Sequence, residues 1–167
     1  EDPIPPDSAL SFGEVAAKSR VPMAAGERNT TIYEFREYSE VGGVSFIRPD
    51  IGIAGGFTQL VKICALAEAR HQGVIPHAVP SGPVATMAHV HAGMAIPNWE
   101  VQEHVDQDRA PFTDMVDRVP VVEDGYLRPF DAPGIGMTLQ DAYLVASDIT
   151  VLPAGADVVR DGSGAMR

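Results

Sequence analysis

Short apolar runs alternate with amphipathic stretches of helical spacing along the chain as far as residue 104. Neighbouring parallel strands need a crossover connection, which is usually a helix, so this alternation predicts a parallel sheet packed against helices, the α/β class. Thr30 and Thr58 are predicted helix N-caps, and Pro83 suits the first turn of a helix. The predicted helices cover residues 8–19, 30–41, 57–71 and 83–95, and the predicted strands cover 21–26, 44–47, 73–75 and 98–102.

An ionisable residue follows each apolar run, once in every strand–helix unit. In a (β/α)8 barrel all strands end at one face, where the active site is assembled, so such residues are expected at one mouth. Four carboxylates and a histidine there offer oxygen ligands for a hard cation and a base. Each carboxylate taken singly is compatible with a helix cap or a solvated loop, and the recurrence favours a site. These residues are Glu1, Glu27, Asp50, His77 and Glu103.

The chain has 167 residues, which suits one domain with a sizeable core but not a whole barrel. A complete (β/α)8 barrel takes about 250 residues, and the sequence contains about four strand–helix steps. We therefore expect the C-terminal half of a modified (β/α)8 (TIM-like) barrel, a fragment of a longer chain. Half a barrel would leave sheet edges open, so another segment is expected to complete it.

The alternating pattern stops after residue 104, which suggests a different role for the rest of the chain. Residues 1–104 are assigned to barrel strands and helices 4–8, and residues 105–167 to a C-terminal extension. Within the extension, residues 121–129 are predicted to form a hairpin that turns at Asp124 and Gly125. A short helix is expected near residues 138–146.

Charge and composition exclude some classes of partner. The net charge of -11 argues against nucleic acid, because phosphate binding needs clustered Lys and Arg. No apolar run reaches the ~18 residues of a membrane helix. Cys64 is the one cysteine, so no intrachain disulfide can form, which fits a reducing, cytoplasmic compartment. We interpret Cys64 as a packing residue, and His89 and His91, which do not share a helix face, as packing or surface residues.

Five stretches together resemble the enolase superfamily and its mandelate racemase/muconate lactonizing subgroup, and within it the acid-sugar dehydratases of the galactonate dehydratase type. The resemblance implies an α+β capping domain and first barrel strands that precede residue 1, with the C-terminal extension packed on the barrel and capping domain. The stretches are GER (26–28), RPDIGIAGGFTQLVKICALAEA (48–69), IPHAVPSGPVAT (75–86), IPNWEVQE (96–103) and DGYLRPFDAPGIGM (124–137).

The resemblance implies a role for each of the strand-end residues. Glu1 and Glu27 match the second and third ligands of an essential Mg²⁺, whose first ligand, an aspartate, would precede residue 1. Asp50 and His77 match the Asp–His dyad of the family. Glu103 matches the carboxyl group that hydrogen-bonds the substrate carboxylate. The sequence departs from the family pattern in EDP, where EEP is usual, and in HAVPSGP, where HNPLGP is commoner.

The implied activity is Mg²⁺-dependent dehydration of a sugar acid to a 2-keto-3-deoxy acid, beginning with proton abstraction next to the carboxylate. The small-molecule sugar acid is the expected partner, and the full-length protein is expected to be a homo-oligomer. Two alternatives stay open: a racemase or epimerase of the same superfamily, and a non-catalytic truncated barrel fragment. We expect the 167-residue chain alone to be inactive and prone to aggregate.

Overall fold

The computed structural model describes residues 1–78 and 81–145. Helices and short strands alternate along the first part of the chain, in the predicted order. The helices are α1 (Ala9–Ala16), α2 (Ile32–Glu40), α3 (Phe57–Glu68), α4 (Pro83–Gly93), α5 (Phe112–Met115) and α6 (Asp141–Val145). The strands are β1 (Ala24–Ala25), β2 (Phe46–Ile47), β3 (Gly73–Val74), β4 (Val122–Glu123) and β5 (Tyr126–Leu127).

Strands β1, β2 and β3 form one parallel sheet in sequence order, which confirms the predicted α/β arrangement. Each strand is shorter than predicted, and in β1 this is partly because Pro22 has no backbone N–H to give to a ladder. Strand-like bonds nevertheless continue past the strand ends: Arg48 donates to the carbonyl of Ala25, and the amide of His77 donates to Pro49. The polar residues that follow the strands therefore lie at the same edge of the sheet.

The prediction of a strand at 98–102 is wrong, because this segment forms no extended strand. Trp99 forms a single parallel bridge with Val74. The backbone of Val74 bonds to Asn98 on one side and Glu100 on the other, and these bonds do not extend into a ladder. The chain direction is still parallel, so Glu103 leaves this segment at the same edge as the other strand ends.

Local sequence explains where two of the helices begin. Thr31, one residue beyond the predicted Thr30, caps α2 in a capping box, accepting from the amide of Glu34 while the Glu34 carboxylate accepts from the Thr31 amide. The prediction of Thr58 as a cap is wrong, because α3 begins at Phe57 after Gly56, whose φ of 84° suits glycine. Pro83 occupies the first turn of α4, as predicted.

Helices α1 to α4 contribute buried apolar residues to one core that also includes strand residues of β1, β2 and β3. Cys64 belongs to this core at 1% exposure, and burial raises the pKa of its thiol to about 12, which confirms packing as its role. The largest fully buried hydrophobic side chains of this core are Phe12, Phe35, Ile47, Leu60, Ile63 and Val74.

Beyond residue 104 the chain forms the predicted hairpin. Strands β4 and β5 pair antiparallel, and Asp124 (φ 52°) and Gly125 (φ 81°) turn between them, as a type I′ turn requires. The predicted helix near 138–146 is observed as α6. The boundary at residue 104 and the packing of 105–167 on a capping domain stay predictions, and residues 146–167 lie outside the described residues. No helix within the described ranges combines the length and apolarity needed to cross a membrane.

Candidate active site

Asp50 and His77 follow neighbouring strands and meet side chain to side chain. The Nδ1 atom of His77 lies 3.1 Å from Oδ2 of Asp50. A carboxylate only accepts hydrogen bonds, so this contact places the ring proton on Nδ1 and leaves Nε2 as the basic nitrogen. The other Asp50 oxygen, Oδ1, accepts from the amides of Gly52 at 2.7 Å and Ile53 at 3.3 Å. The carboxylate is therefore held from both sides.

The basic nitrogen of His77 faces a carboxylate that follows β1, two strand–helix units earlier in the chain. Its Nε2 atom lies 3.8 Å from Oε2 of Glu27. The His77 side chain keeps 14% exposure and the Glu27 side chain 24%, so this nitrogen lies at an accessible edge rather than in the core. A ligand that binds at this edge would contact both the basic nitrogen of His77 and the carboxylate of Glu27.

Glu1 and Glu27 form a second close pair of ionisable groups. The pKa of Glu1 lies above its ordinary value, chiefly because the carboxyl group is partly buried. Arg48 opposes this rise, whereas the negative charges of Glu27 and Glu103, and a hydrogen bond that the neutral Glu1 carboxyl group donates to Glu27, add to it. A cation placed between Glu1 and Glu27 would be attracted by both negative charges.

The buried guanidinium of Arg48 joins the two ends of the site. Its Nε lies 2.7 Å from Oε1 of Glu1, and its Nη2 lies 3.0 Å from Oε2 of Glu103. The angles make these ion pairs rather than aligned hydrogen bonds. The same Glu103 oxygen accepts the amide of Ala78 at 2.7 Å, which ties it to the segment after His77. The structure thus brings all of the predicted strand-end residues together, with Arg48 among them.

Sequence reasoning missed four side chains that surround these groups. Arg48 had a usable signal, because it lies two residues before Asp50 and side chains two apart on a strand share a face. Ser81, Gln107 and His89 carried no such signal in the sequence. Ser81 Oγ lies 3.5 Å from Asp50 Oδ2. The buried side-chain amide of Gln107 donates to the Ser81 carbonyl. His89 is fully buried on α4 rather than a plain packing residue, since it accepts the amide hydrogen of Ile51 at 3.0 Å.

The donor set of the Glu1–Glu27 pair suits a magnesium ion. Within residues 1–78 and 81–145, no three His, Cys, Asp or Glu side chains are grouped closely enough to hold a metal. Mg²⁺, however, usually takes one or two protein carboxylates and keeps water in its remaining positions. Two facing carboxylates, with no nitrogen or sulfur ligand in the pair, fit such a hard cation better than zinc.

Parallel strand–helix units with ionisable residues gathered at the strand ends define a barrel-type α/β protein. The chain belongs to the enolase C-terminal domain-like family, whose family model matches residues 1–143. This membership confirms the enolase-superfamily resemblance and the fold class.

Curated relatives and solved structures agree with the family assignment. The chain is 36% identical over 152 residues to a D-galactonate dehydratase of Ralstonia pickettii (strain 12J), covering 87% of this chain and 39% of the relative. A mandelate racemase/muconate lactonizing enzyme from Jannaschia sp. CCS1 is 37% identical at a TM-score of 0.81, over 90% of this chain and 38% of that one. An enolase from Agrobacterium radiobacter, bound to Na and L-malate, is 27% identical at a TM-score of 0.83, over 99% and 45%. The chain thus spans about two fifths of the length of these proteins.

Proposed function

We propose that the protein to which this chain belongs dehydrates a sugar acid to a 2-keto-3-deoxy acid in a Mg²⁺-dependent reaction. The observation that carries the proposal is the 3.1 Å contact of His77 with Asp50, with the other ring nitrogen facing the carboxylates. The D-galactonate dehydratases among the relatives support the substrate class, an aldonate.

His77 is the proposed base that removes the proton next to the substrate carboxylate. With Nδ1 donating to Asp50, the lone pair on Nε2 takes the proton, and the Asp50 carboxylate stabilises the imidazolium that forms. Histidine is the side chain most often used as a general acid or base in enzymes.

Glu1 and Glu27 are the proposed protein ligands of the metal. Mg²⁺, when bound, supplies positive charge that stabilises the negative charge developing on the substrate carboxylate. The two glutamates contribute hard oxygen donors and place that charge beside His77. Further ligands are expected to be water, the substrate or other side chains.

Glu103 and Arg48 are proposed to fix the substrate carboxylate. Among the described residues, the two contacts to the Glu103 carboxyl group fall on Oε2, and we assign Oε1, carrying a proton, to donating a hydrogen bond to the substrate carboxylate. Arg48 holds Glu103 and Glu1 in one arrangement, which keeps the substrate-binding and metal-binding ends at a constant separation. After proton removal the electron pair of the enediolate expels the C3 hydroxyl, which takes up a proton from a general acid and leaves as water, and the resulting enol tautomerises to the 2-keto-3-deoxy acid.

The proposal also covers the cellular location, the oligomeric state and the additional segments of the enzyme. A cytoplasmic location fits the single cysteine, Cys64, and a role in the catabolism of small acids. A homo-oligomer, and barrel and capping segments that complete the site, are also proposed.

A panel of aldonates, including D-galactonate, tests the proposed function on protein expressed from the complete gene. We expect keto-acid formation that requires Mg²⁺ and falls roughly 10³-fold in His77→Asn, within the range for loss of a general base. His71→Asn is the matched control, because His71 is exposed and asparagine tolerates its φ of 57°.

Two results would count against this function. Unchanged keto-acid formation in His77→Asn would remove the assigned base. Exchange of the α-proton without any keto acid would exclude dehydration and favour racemisation or epimerisation, the alternative within the superfamily.

A further inference from the structure

His89 combines complete burial with only one hydrogen bond among the described residues. The ring is 0% exposed, and its Nε2 accepts the amide hydrogen of Ile51 at 3.0 Å. Because Nε2 accepts, the proton of the neutral ring lies on Nδ1, which is buried and finds no partner within residues 1–78 and 81–145. Burial lowers the pKa of His89 to about 4, so the ring is neutral near pH 7.

This arrangement is unfavourable as simple core packing. A buried N–H without a partner loses its hydration and gains nothing in exchange, whereas an aliphatic side chain would fill the same space without that loss. The compensating contact is the single bond to Ile51. Trp99 packs against the ring with centroids 6.1 Å apart and planes tilted by 55°, which restricts the direction in which Nε2 can point.

Ile51 is the residue directly after Asp50 and begins the turn that holds the Asp50 carboxylate. The amides of Gly52 and Ile53 donate to Asp50 Oδ1, and the amide of Ala54 donates to the Asp50 carbonyl. The remaining amide of this turn, that of Ile51, donates its hydrogen bond to Nε2 of His89. His89 therefore ties the turn to α4, the helix that follows β3 and His77 in the chain.

We propose that His89 is a positioning residue: it anchors the turn after Asp50, so that Asp50 keeps the His77 ring in the tautomer and direction that catalysis needs. The proposal rests on the assignment of His77 and Asp50 under the proposed function. His89 acts through Ile51 and Asp50 and, being fully buried, does not touch the substrate.

Three variants separate this role from packing, in protein expressed from the complete gene with D-galactonate and Mg²⁺ as the probe. His89→Leu keeps an apolar side chain but cannot accept the Ile51 hydrogen. His89→Gln places an amide oxygen where Nε2 accepts. Val90→Ala is the control for a packing defect in the same helix, because Val90 is buried at 7% exposure and is not assigned to the site.

We expect kcat of His89→Leu to fall about 100-fold at nearly unchanged KM, the effect of a misplaced catalytic group. His89→Gln should recover kcat to within about tenfold of the unsubstituted protein, and Val90→Ala should keep it within about threefold. Equal losses in His89→Leu and His89→Gln, or a loss in His89→Leu no larger than in Val90→Ala, would overturn the proposal.

A second measurement does not depend on turnover. Nitrogen-15 NMR of the His77 ring reports which nitrogen carries the proton. We expect the Nδ1–H form in the unsubstituted protein and in His89→Gln, and a mixture of tautomers in His89→Leu. An unchanged tautomer in His89→Leu would overturn the positioning role even if D-galactonate is not the substrate, whereas inactivity of the unsubstituted protein on all aldonates would contradict the proposed function alone.

Discussion

The His77 ring donates from Nδ1 to Oδ2 of Asp50 across 3.1 Å, although the two residues are 27 positions apart in the chain. They meet because strands β2 and β3 are parallel neighbours, so that residues just beyond the two strand ends lie at one edge of the sheet. The free ring nitrogen then faces Glu27, which follows β1 on the far side of β2. Base, orienting carboxylate and metal-ligand candidate thus come from three successive strand–helix units.

Asp50→Asn is expected to lower kcat by about 10³-fold while the fold and KM change little. An asparagine can donate toward Nδ1 and so favours the wrong ring tautomer, and it carries no charge to stabilise the imidazolium. Steady-state kinetics on an aldonate checks this. Asp124→Asn is the control, since it removes a carboxylate in the exposed hairpin turn, where asparagine suits the φ of 52°. Similar rates for Asp50→Asn and its control would contradict the dyad.

Glu27→Gln is expected to weaken Mg²⁺ binding by at least about tenfold, because a neutral amide replaces one of the two carboxylates proposed to hold the ion. Isothermal titration with Mg²⁺ in the absence of substrate measures this directly. Glu40→Gln is the matched control, because Glu40 forms its ion pairs with Arg36 and Arg70 on the exposed face of α2. Equal affinity in both variants would remove Glu27 from the ligand set.

Arg48→Met is expected to destabilise the fold by about 2 kcal/mol. Removal of the buried guanidinium leaves Glu1 and Glu103 without their shared counter-charge, and the partial exposure of both carboxylates keeps the loss below that of a fully buried pair. Urea unfolding measures the change in free energy. Arg36→Met, which removes an exposed ion pair to Glu40, should change it by about 0.5 kcal/mol or less. A loss for Arg48→Met as small as this would contradict its bridging role.

The buried ring of His89 should make stability fall as the pH is lowered. Its folded pKa is about 4, below the 6.5 of the exposed ring, mainly through burial and the charge of His77, against the opposing charges of Asp50 and Glu103. Between these values the unfolded chain binds a proton that the folded chain does not, so stability is complete above pH 6.5 and is lost as the pH falls toward 4. The ring's share of the loss is about 3 kcal/mol.

Urea unfolding at a series of pH values, with His89→Gln beside the unsubstituted protein, isolates that contribution. The stability of the unsubstituted protein relative to His89→Gln should fall by about 3 kcal/mol as the pH falls from 6.5 toward 4. A difference that stays constant over this range would show that the ring does not resist protonation.

Thr31→Ala should cost about 1 kcal/mol, because it removes the side chain that caps α2 and accepts the amide of Glu34. Thr58→Ala is the control, since Thr58 is exposed within α3 and caps nothing there. Thermal unfolding of both variants checks the difference. An equal effect of the two substitutions would contradict the observed start of α2.

The strand-end residues were predictable from the sequence because a parallel sheet turns a regular spacing along the chain into proximity in space. The short apolar runs and intervening amphipathic stretches were sufficient to place Glu27, Asp50 and His77 at one edge. The fold class followed from the same alternation. The lengths of the strands did not, since backbone pairing depends on neighbours that a single segment does not reveal.

The supporting side chains could not be predicted, because their partners come from distant and irregular segments. Gln107 reaches Ser81 and Thr86 from a stretch with no periodicity. The direction of His89 on α4 is set by Trp99 and by the turn after Asp50, which local spacing does not encode. Helix caps showed the same limit, as both Thr30 and Thr31 satisfy the local rule and only one of them caps α2.

The central claim is that His77 takes the proton from the carbon next to the substrate carboxylate. The most direct measurement follows deuterium from C2-deuterated D-galactonate into solvent water while the keto acid forms, in protein expressed from the complete gene. The account predicts that the unsubstituted protein releases deuterium in step with product and that His77→Asn releases almost none. Release of deuterium by His77→Asn at the rate of the unsubstituted protein would contradict it.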